Sequence, residues 1–192
     1  SNGIGEPMTL MIPNFYGGSS GDFFVQDEES NTYRALVQSG DNNLANQLAS
    51  YTRAYWGPQS LASPYYGGAI VVFLFVLGIL LAERKYVYWL VPLAALSIML
   101  SWGSSFPSFN YLMFDYFPGY DKFRSVTFAL IIILFAMPLL GMLGLEQLLE
   151  KGLTPEFKRR LLIAFGATGG LCLVLWLGAG MMGFVAEGES QF

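Results

Sequence analysis

No histidine occurs anywhere in the 192 residues, and cysteine occurs once. Without imidazole, histidine-based proton transfer and histidine metal ligation are excluded, so any such chemistry falls to carboxylate, lysine, arginine, tyrosine or serine. Cys172 lies inside an apolar run. Alone it forms no internal disulfide, and no metal-ligand spacing surrounds it, so it reads as a small packing residue. Charge is scarce as well: Asp, Glu, Lys and Arg make up 12% of the chain, against about 25% in ordinary soluble domains. The net charge of −4 and the lack of a clustered basic surface exclude the usual nucleic-acid footprint. The opening "SNGIGEPMTLMIPN" has neither the basic nor the apolar region of a signal peptide. A polar start without Met is what an inner piece of a longer multi-span chain would show, and further spans upstream are expected.

What the chain does have is apolar and aromatic bulk. Hydrophobic residues form 54% and aromatic residues 16%, with 16 Phe, 11 Tyr and 4 Trp. That balance fits a membrane protein that meets the water–lipid boundary several times. Residues 1–65 are mixed and polar and read as an outward loop. "NFYGGSSGDFF" is a Gly/Ser-rich turn region and "DEES" at 27–30 a solvated acidic patch. "DNNLANQLASYTRAYW" predicts a short interfacial helix with Asn42 or Asn43 at its start.

Residues 66–185 predict an all-α membrane segment of four transmembrane helices, at about 67–82, 86–102, 125–145 and 161–185, with residues 186–192 as an outward tail. The charges of "ERK" at 83–85 leave so short a link that the first two spans must form a tight antiparallel hairpin. Pro138 predicts a kink in the third span. "EQLLEKGLTPEFKRR" at 146–160 reads as the polar connection to the fourth. Glycines 166, 169, 170, 178 and 180 in that last span fit close helix–helix approach or plain lipid-adapted packing. Six basic residues fall on the side of 83–85 and 146–160, and four are spread over the much longer opposite side. The positive-inside rule therefore puts 83–85 and 146–160 in the cytoplasm and 1–65, 103–124 and 186–192 outside.

Two outward stretches carry candidate chemistry. In "YWGPQ", Tyr55 and Trp56 are accounted for as an interfacial aromatic belt, with stacking of their ring faces on a sugar as the alternative. In "SSFPSFNYLMFDYFPGYDKFRSV", residues 108–117 predict a helix lying in the interface, with Asp115 its one charge. Asp121, Lys122 and Arg124 follow at the outer end of the third span. They fit an ion pair with snorkelling side chains, or a clamp in which Arg124 grips a lipid phosphate bidentately, Lys122 adds a point charge and Asp121 orients the arginine. Gly17-Gly18 reads as a structural turn, since no strand–loop–helix phosphate motif surrounds it. No cofactor is evident, and a lone carboxylate does not specify a divalent metal.

Taken in order, "GIGEPMTLMIPNFYGGSS", "YWGPQ", "GAIVVFLFVLGILL", "LSWGSSF" and "YFPGYDKFRSVTF" resemble the YfhO-type polytopic membrane proteins of bacteria, particularly of Bacteroidetes. The resemblance covers most of residues 3–145 and fades over 146–192. Its one departure is "QSLASPYYG" after the YWG word. It implies a bacterial cytoplasmic-membrane protein of the GT-C glycosyltransferase architecture, multi-pass, whose partners are the bilayer, the remaining spans and a sugar carried on polyprenyl phosphate. Such enzymes glycosylate a cell-envelope acceptor at the outer face. Their catalytic Asp or Glu usually lies in the first outward loop, which on this resemblance precedes these residues. By position, Arg124 and Lys122 would meet the donor phosphate, and Tyr55 and Trp56 the sugar or acceptor. The competing readings are a transporter or lipid-handling protein, which wants polar residues lining a mid-span path, and a non-catalytic membrane subunit. The spans offer little polar lining beyond Ser97 and Thr168.

Overall fold

A computed structural model describes residues 3–23, 31–38, 40, 43, 46, 54–57, 65–122 and 126–178. The described chain is helical. Helix α1 spans Asn31–Gln38, α2 Ala69–Leu81, α3 Arg84–Trp102, α4 Pro107–Tyr116, α5 Leu130–Lys151 and α6 Pro155–Gly178. Single 3₁₀ turns cover Glu6–Leu10, Gly103–Ser105, Tyr120–Lys122 and Val126–Ala129. Three segments are long and apolar enough to cross a membrane: Arg84–Ser105, Val126–Lys151 and Pro155–Gly178. They mark the chain as a membrane protein.

The first apolar run is different. Its helix holds 13 residues, about 20 Å at 1.5 Å per residue, whereas a bilayer core measures about 30 Å. The missing length is on the N-terminal side, where Gly68 adopts φ +103° and stops the helix from extending backwards. There the 3₁₀ turn Glu6–Leu10 folds in. The backbone N–H groups of Gly67 and Gly68 both donate to Leu10 O, at 3.1 and 3.0 Å. Leu10 is buried and shares one core with Leu130, Ile133, Met137 and Leu140. A Cβ on Gly67 would lie 3.2 Å from Leu10 O and 3.5 Å from a Leu134 methyl. The N-terminal segment thus sits alongside the second turn of α5.

Helices α2 and α5 run parallel and nearly touch. A Cβ on Gly78 would lie 2.7 Å from the Leu140 carbonyl carbon, one on Gly144 2.6 Å from Gly78 Cα, and one on Gly141 2.9 Å from Leu74 Cβ. Three glycines therefore allow backbone-to-backbone contact in a setting where association rests on van der Waals packing. By contrast, Gly166, Gly169, Gly170 and Gly178 of α6 have open space around them. Of the two readings of the α6 glycines, these four fit plain lipid-adapted packing, and close helix–helix approach is made by α2 and α5. Helix α6 packs through Phe157, Leu161 and Ala164 against Leu77 and Leu81 at the far end of α2.

Helix α3 joins α5 through a buried serine. Ser97 Oγ donates to Ala129 O at 2.6 Å and accepts from Ile133 N at 3.3 Å. These are the two groups that an α-helical turn pairs, so the hydroxyl bridges the junction where the 3₁₀ turn Val126–Ala129 becomes α5. Ser97 is fully buried, and its polar atom is satisfied by this bridge rather than by a path through the membrane.

The polar stretch 146–160 corrects a further expectation. It is mostly helix: α5 runs on to Lys151, α6 begins at Pro155, and residues 152–154 alone link them. The reason is local. Glu146, Gln147, Glu150 and Lys151 are good helix formers. Gly152 at φ +70° ends α5, with its N–H on Leu148 O at 3.0 Å. Thr154 then caps α6 by accepting from Phe157 N at 3.3 Å, with Pro155 at the first helical position. Pro92 and Pro138 lie inside helices that are assigned without interruption. Helix α1 forms where a polar loop was expected. Of the helix expected from residue 41, only 43 and 46 are described, both helical; the remainder, "DEES" at 27–30 and residues 179–192 lie outside the described residues.

Candidate functional site

Helix α2 runs parallel to α5, and α3, through Ser97 and the turn at 129–133, runs antiparallel to it. Helices α2 and α3 each pack on α5 and barely on one another, not as the tight hairpin expected, and the bundle has two ends. Residues 82–84 and 152–154 turn at one. Residues 65–68, bonded to Leu10, lie at the other with the segments 3–23 and 54–57, and residues 103–122 follow the end of α3 on that same side.

At that second end, two distant pieces of chain clasp each other. Gly17 pairs with Tyr55 in an isolated antiparallel bridge. Around it, Gly18 N donates to Ala54 O at 2.8 Å, Trp56 N to Tyr16 O at 3.1 Å and Ala54 N to Asp22 O at 2.9 Å. Gly17 adopts φ +85°, and a Cβ there would meet Ala54 O. This is the close backbone approach that glycine alone permits, and it confirms a structural role for the diglycine.

The clasp closes over Glu6. Its side chain is 5% exposed and accepts a hydrogen bond from the Tyr55 hydroxyl, while Tyr55 is 7% exposed. Thr9 Oγ1 donates to Glu6 O at 2.5 Å. Beside this pair stands Tyr16, whose ring lies 4.5 Å from that of Trp56 and 5.4 Å, edge-on, from Phe15. Gly5 and Gly57 leave room for the two phenols: a Cβ on Gly5 would strike the Tyr16 hydroxyl, and one on Gly57 the Tyr55 hydroxyl. Burial holds the Tyr16 phenol above its ordinary pKa, and the negative charge of Glu6 raises it further. Tyr16 therefore stays a neutral donor and acceptor at physiological pH.

The opening words of this region thus converge. "GEP", "NFYGG" and "YWG" each supply a residue to one cluster: Glu6, Tyr16, and Tyr55 with Trp56. Tyr55 faces inward as the hydrogen-bonded partner of Glu6, and Trp56 is the partly open member of the pair. Glu6 and Tyr16 were not singled out from sequence. The signal for Glu6 was present, since it is the one charged side chain in residues 1–21.

The second candidate lies on the loop after α4. Phe117, Pro118, Gly119 and Tyr120 form a turn closed by Tyr120 N on Phe117 O at 3.2 Å, with Gly119 at φ +85°. Tyr120 is buried and its hydroxyl donates to Asn110 Oδ1 at 2.8 Å, which ties the turn back to α4. Burial raises the Tyr120 pKa. Lys122 follows, exposed. Asp121 shares its 3₁₀ turn, and Arg124 lies outside the described residues. Helix α4 itself buries no residue, and Tyr111, Leu112, Phe114 and Tyr116 stand open. Among the described residues no group of three or more Asp, Glu, Cys or His is placed to hold a metal ion. No family model, curated protein or solved structure matches the chain.

Proposed function

We propose that this chain serves in a membrane glycosyltransferase that moves a sugar from polyprenyl phosphate to a cell-envelope acceptor at the outer face of a bacterial cytoplasmic membrane. The observation that carries the reading is the grouping at one end of the bundle. A buried carboxylate–phenol pair, a partly open tryptophan and a lysine-bearing turn all lie where the apolar helices reach their ends. Four spans follow if α2 crosses together with the N-terminal turn that extends it. The 83–85 and 152–154 ends then face the cytoplasm, where the basic residues concentrate, and α4 lies in the outer interface with its aromatic side chains among the lipid headgroups.

In the reaction, an acceptor hydroxyl oxygen forms a bond to the anomeric carbon. The bond from that carbon to the phosphate oxygen breaks, and its electron pair leaves with polyprenyl phosphate. The hydroxyl proton passes to a carboxylate that the family resemblance puts outside these residues. Lys122 and Arg124, with Asp121 orienting the arginine, neutralise the charge that grows on the leaving phosphate. Trp56 offers its face to the sugar, and Tyr55 holds the loop that carries Trp56.

The test is Arg124→Ala, assayed in membranes for transfer from polyprenyl-phosphate-linked sugar and for donor binding. Losing a bidentate phosphate contact should lower transfer at least tenfold. Unchanged transfer and unchanged donor binding would remove the phosphate clamp from the account.

A further inference from the structure

Tyr16 is unlike its neighbours in the clasp. The Tyr55 hydroxyl is committed to Glu6, whereas among the described residues the Tyr16 hydroxyl has no hydrogen-bond partner. It is not sealed away either, because Trp102 Nε1 is the one fully buried side-chain polar atom without a partner among the described residues. The Tyr16 ring is fixed between Trp56 and Phe15, and its hydroxyl lies over Gly5. A rigid phenol with a free hydroxyl, stacked on a partly open indole, pairs an apolar face with one polar handle. That combination fits a ring that has an apolar C–H face and hydroxyl edges.

Charge narrows the class. The Glu6 charge is felt at Tyr16, so an anionic group brought to this phenol meets a carboxylate of the same sign. The site is therefore poorly suited to a phosphate and well suited to an uncharged ring. The bridge at Gly17–Tyr55 and the Trp56–Tyr16 backbone bond tie the two halves of the cluster together before any ligand arrives. Little ordering entropy remains to be lost on binding.

We propose that Tyr16 and Trp56 form a subsite for a neutral pyranose, with Trp56 under the ring face, the Tyr16 hydroxyl bonded to a ring hydroxyl, and the Glu6–Tyr55 pair holding the platform and rejecting anionic sugars. The assignment rests on the glycosyltransferase reading for its place in a reaction, while binding itself is independent of transfer.

The experiment uses the protein in detergent micelles and saturation-transfer NMR. The probes are methyl glucoside, methyl galactoside and methyl mannoside, with methyl glucuronoside as the anionic counterpart. At least one neutral glycoside should bind, and the glucuronoside should bind at least tenfold more weakly than the glucoside. Tyr16→Phe removes one neutral hydrogen bond and should weaken binding about threefold to tenfold. Trp56→Leu should abolish it, and Trp56→Phe, which keeps an aromatic face, should retain part of it. Tyr111→Phe, on exposed α4, is the control and should bind as the wild type does. Competition between bound methyl glucoside and polyprenyl-phosphate-linked glucose assigns the subsite to the donor sugar; binding without competition assigns it to the acceptor. Failure of every neutral glycoside to bind, equal binding of the glucuronoside, or undiminished binding by Tyr16→Phe and Trp56→Leu would each overturn the subsite. A protein that binds through Trp56 but transfers no sugar keeps the subsite and loses the glycosyltransferase reading. Transfer with all variants binding alike does the reverse.

Discussion

Single residues carry the clasp, and Glu6 is the one on which most rests. It brings a carboxylate to 5% exposure by accepting from Tyr55. A buried hydrogen bond to a charged group is worth about 1.5–3 kcal/mol, and stranding one partner costs at least as much. Glu6→Ala should therefore lower the thermal midpoint by several degrees in detergent, and Tyr55→Phe by a similar or smaller amount. The double variant should lose less than the sum of the two, because both remove the same bond; simple additivity would show that the pair does not act as one. Tyr16 adds a pH dependence of defined sign. Its phenol is raised above 10.0 in the folded state, first by burial and then by Glu6. The unfolded chain sheds that proton first, so the native state binds more protons and stability falls as pH climbs from about 10 through the folded pKa. Below that window both states hold the proton and Tyr16 contributes no slope. Tyr16→Phe should flatten the alkaline fall in melting temperature. Part of the slope should remain, because burial raises Tyr120 in the same direction. An unaltered profile would show that Tyr16 titrates as an open phenol.

At the level of elements, periodicity and length were legible and contact was not. Helix α3 and the start of the third span were readable from unbroken apolar runs, and α4 from "SFNYLMFDYF". The polar 146–160 stretch misled, because charge marks a solvated surface and not the end of a helix; Gly152 and Pro155 are the actual punctuation. The glycines were legible as small residues, but which would meet a neighbour was not. Gly78, Gly141 and Gly144 lie at a crossing that depends on where two separate helices dock, and sequence spacing within either helix does not reveal it. The same holds for Glu6, Tyr16 and Tyr55, since a contact across 49 positions leaves no local pattern. The contrast between the two glycine sets is measurable. Gly78→Val, facing the Leu140 backbone, should open the α2–α5 contact and cost about 1–3 kcal/mol or prevent folding. Gly166→Ala, in open space, should be neutral or should stabilise α6 by up to about 1 kcal/mol. Thermal unfolding of the two variants beside wild type checks this, and equal losses would contradict the packing described.

For the whole molecule, the claims are a direction in the membrane and a use for the outer end. In a Cys172→Ser background, single cysteines at Asn14 and Gly119 should react with a membrane-impermeant maleimide from outside intact cells, whereas cysteines at Gly152 and Lys85 should react only after permeabilisation. Labelling of Gly152 from outside would invert the orientation. The function is tested most directly by what the protein carries with it. The protein should be purified in mild detergent from its native membrane, and its lipid extract read by mass spectrometry beside that of an Arg124→Ala and Lys122→Ala double variant. The account predicts polyprenyl phosphate or its sugar conjugate in the wild-type extract, depleted at least tenfold in the variant. A wild-type extract holding only bulk phospholipid, or equal polyprenyl phosphate in both, would contradict it.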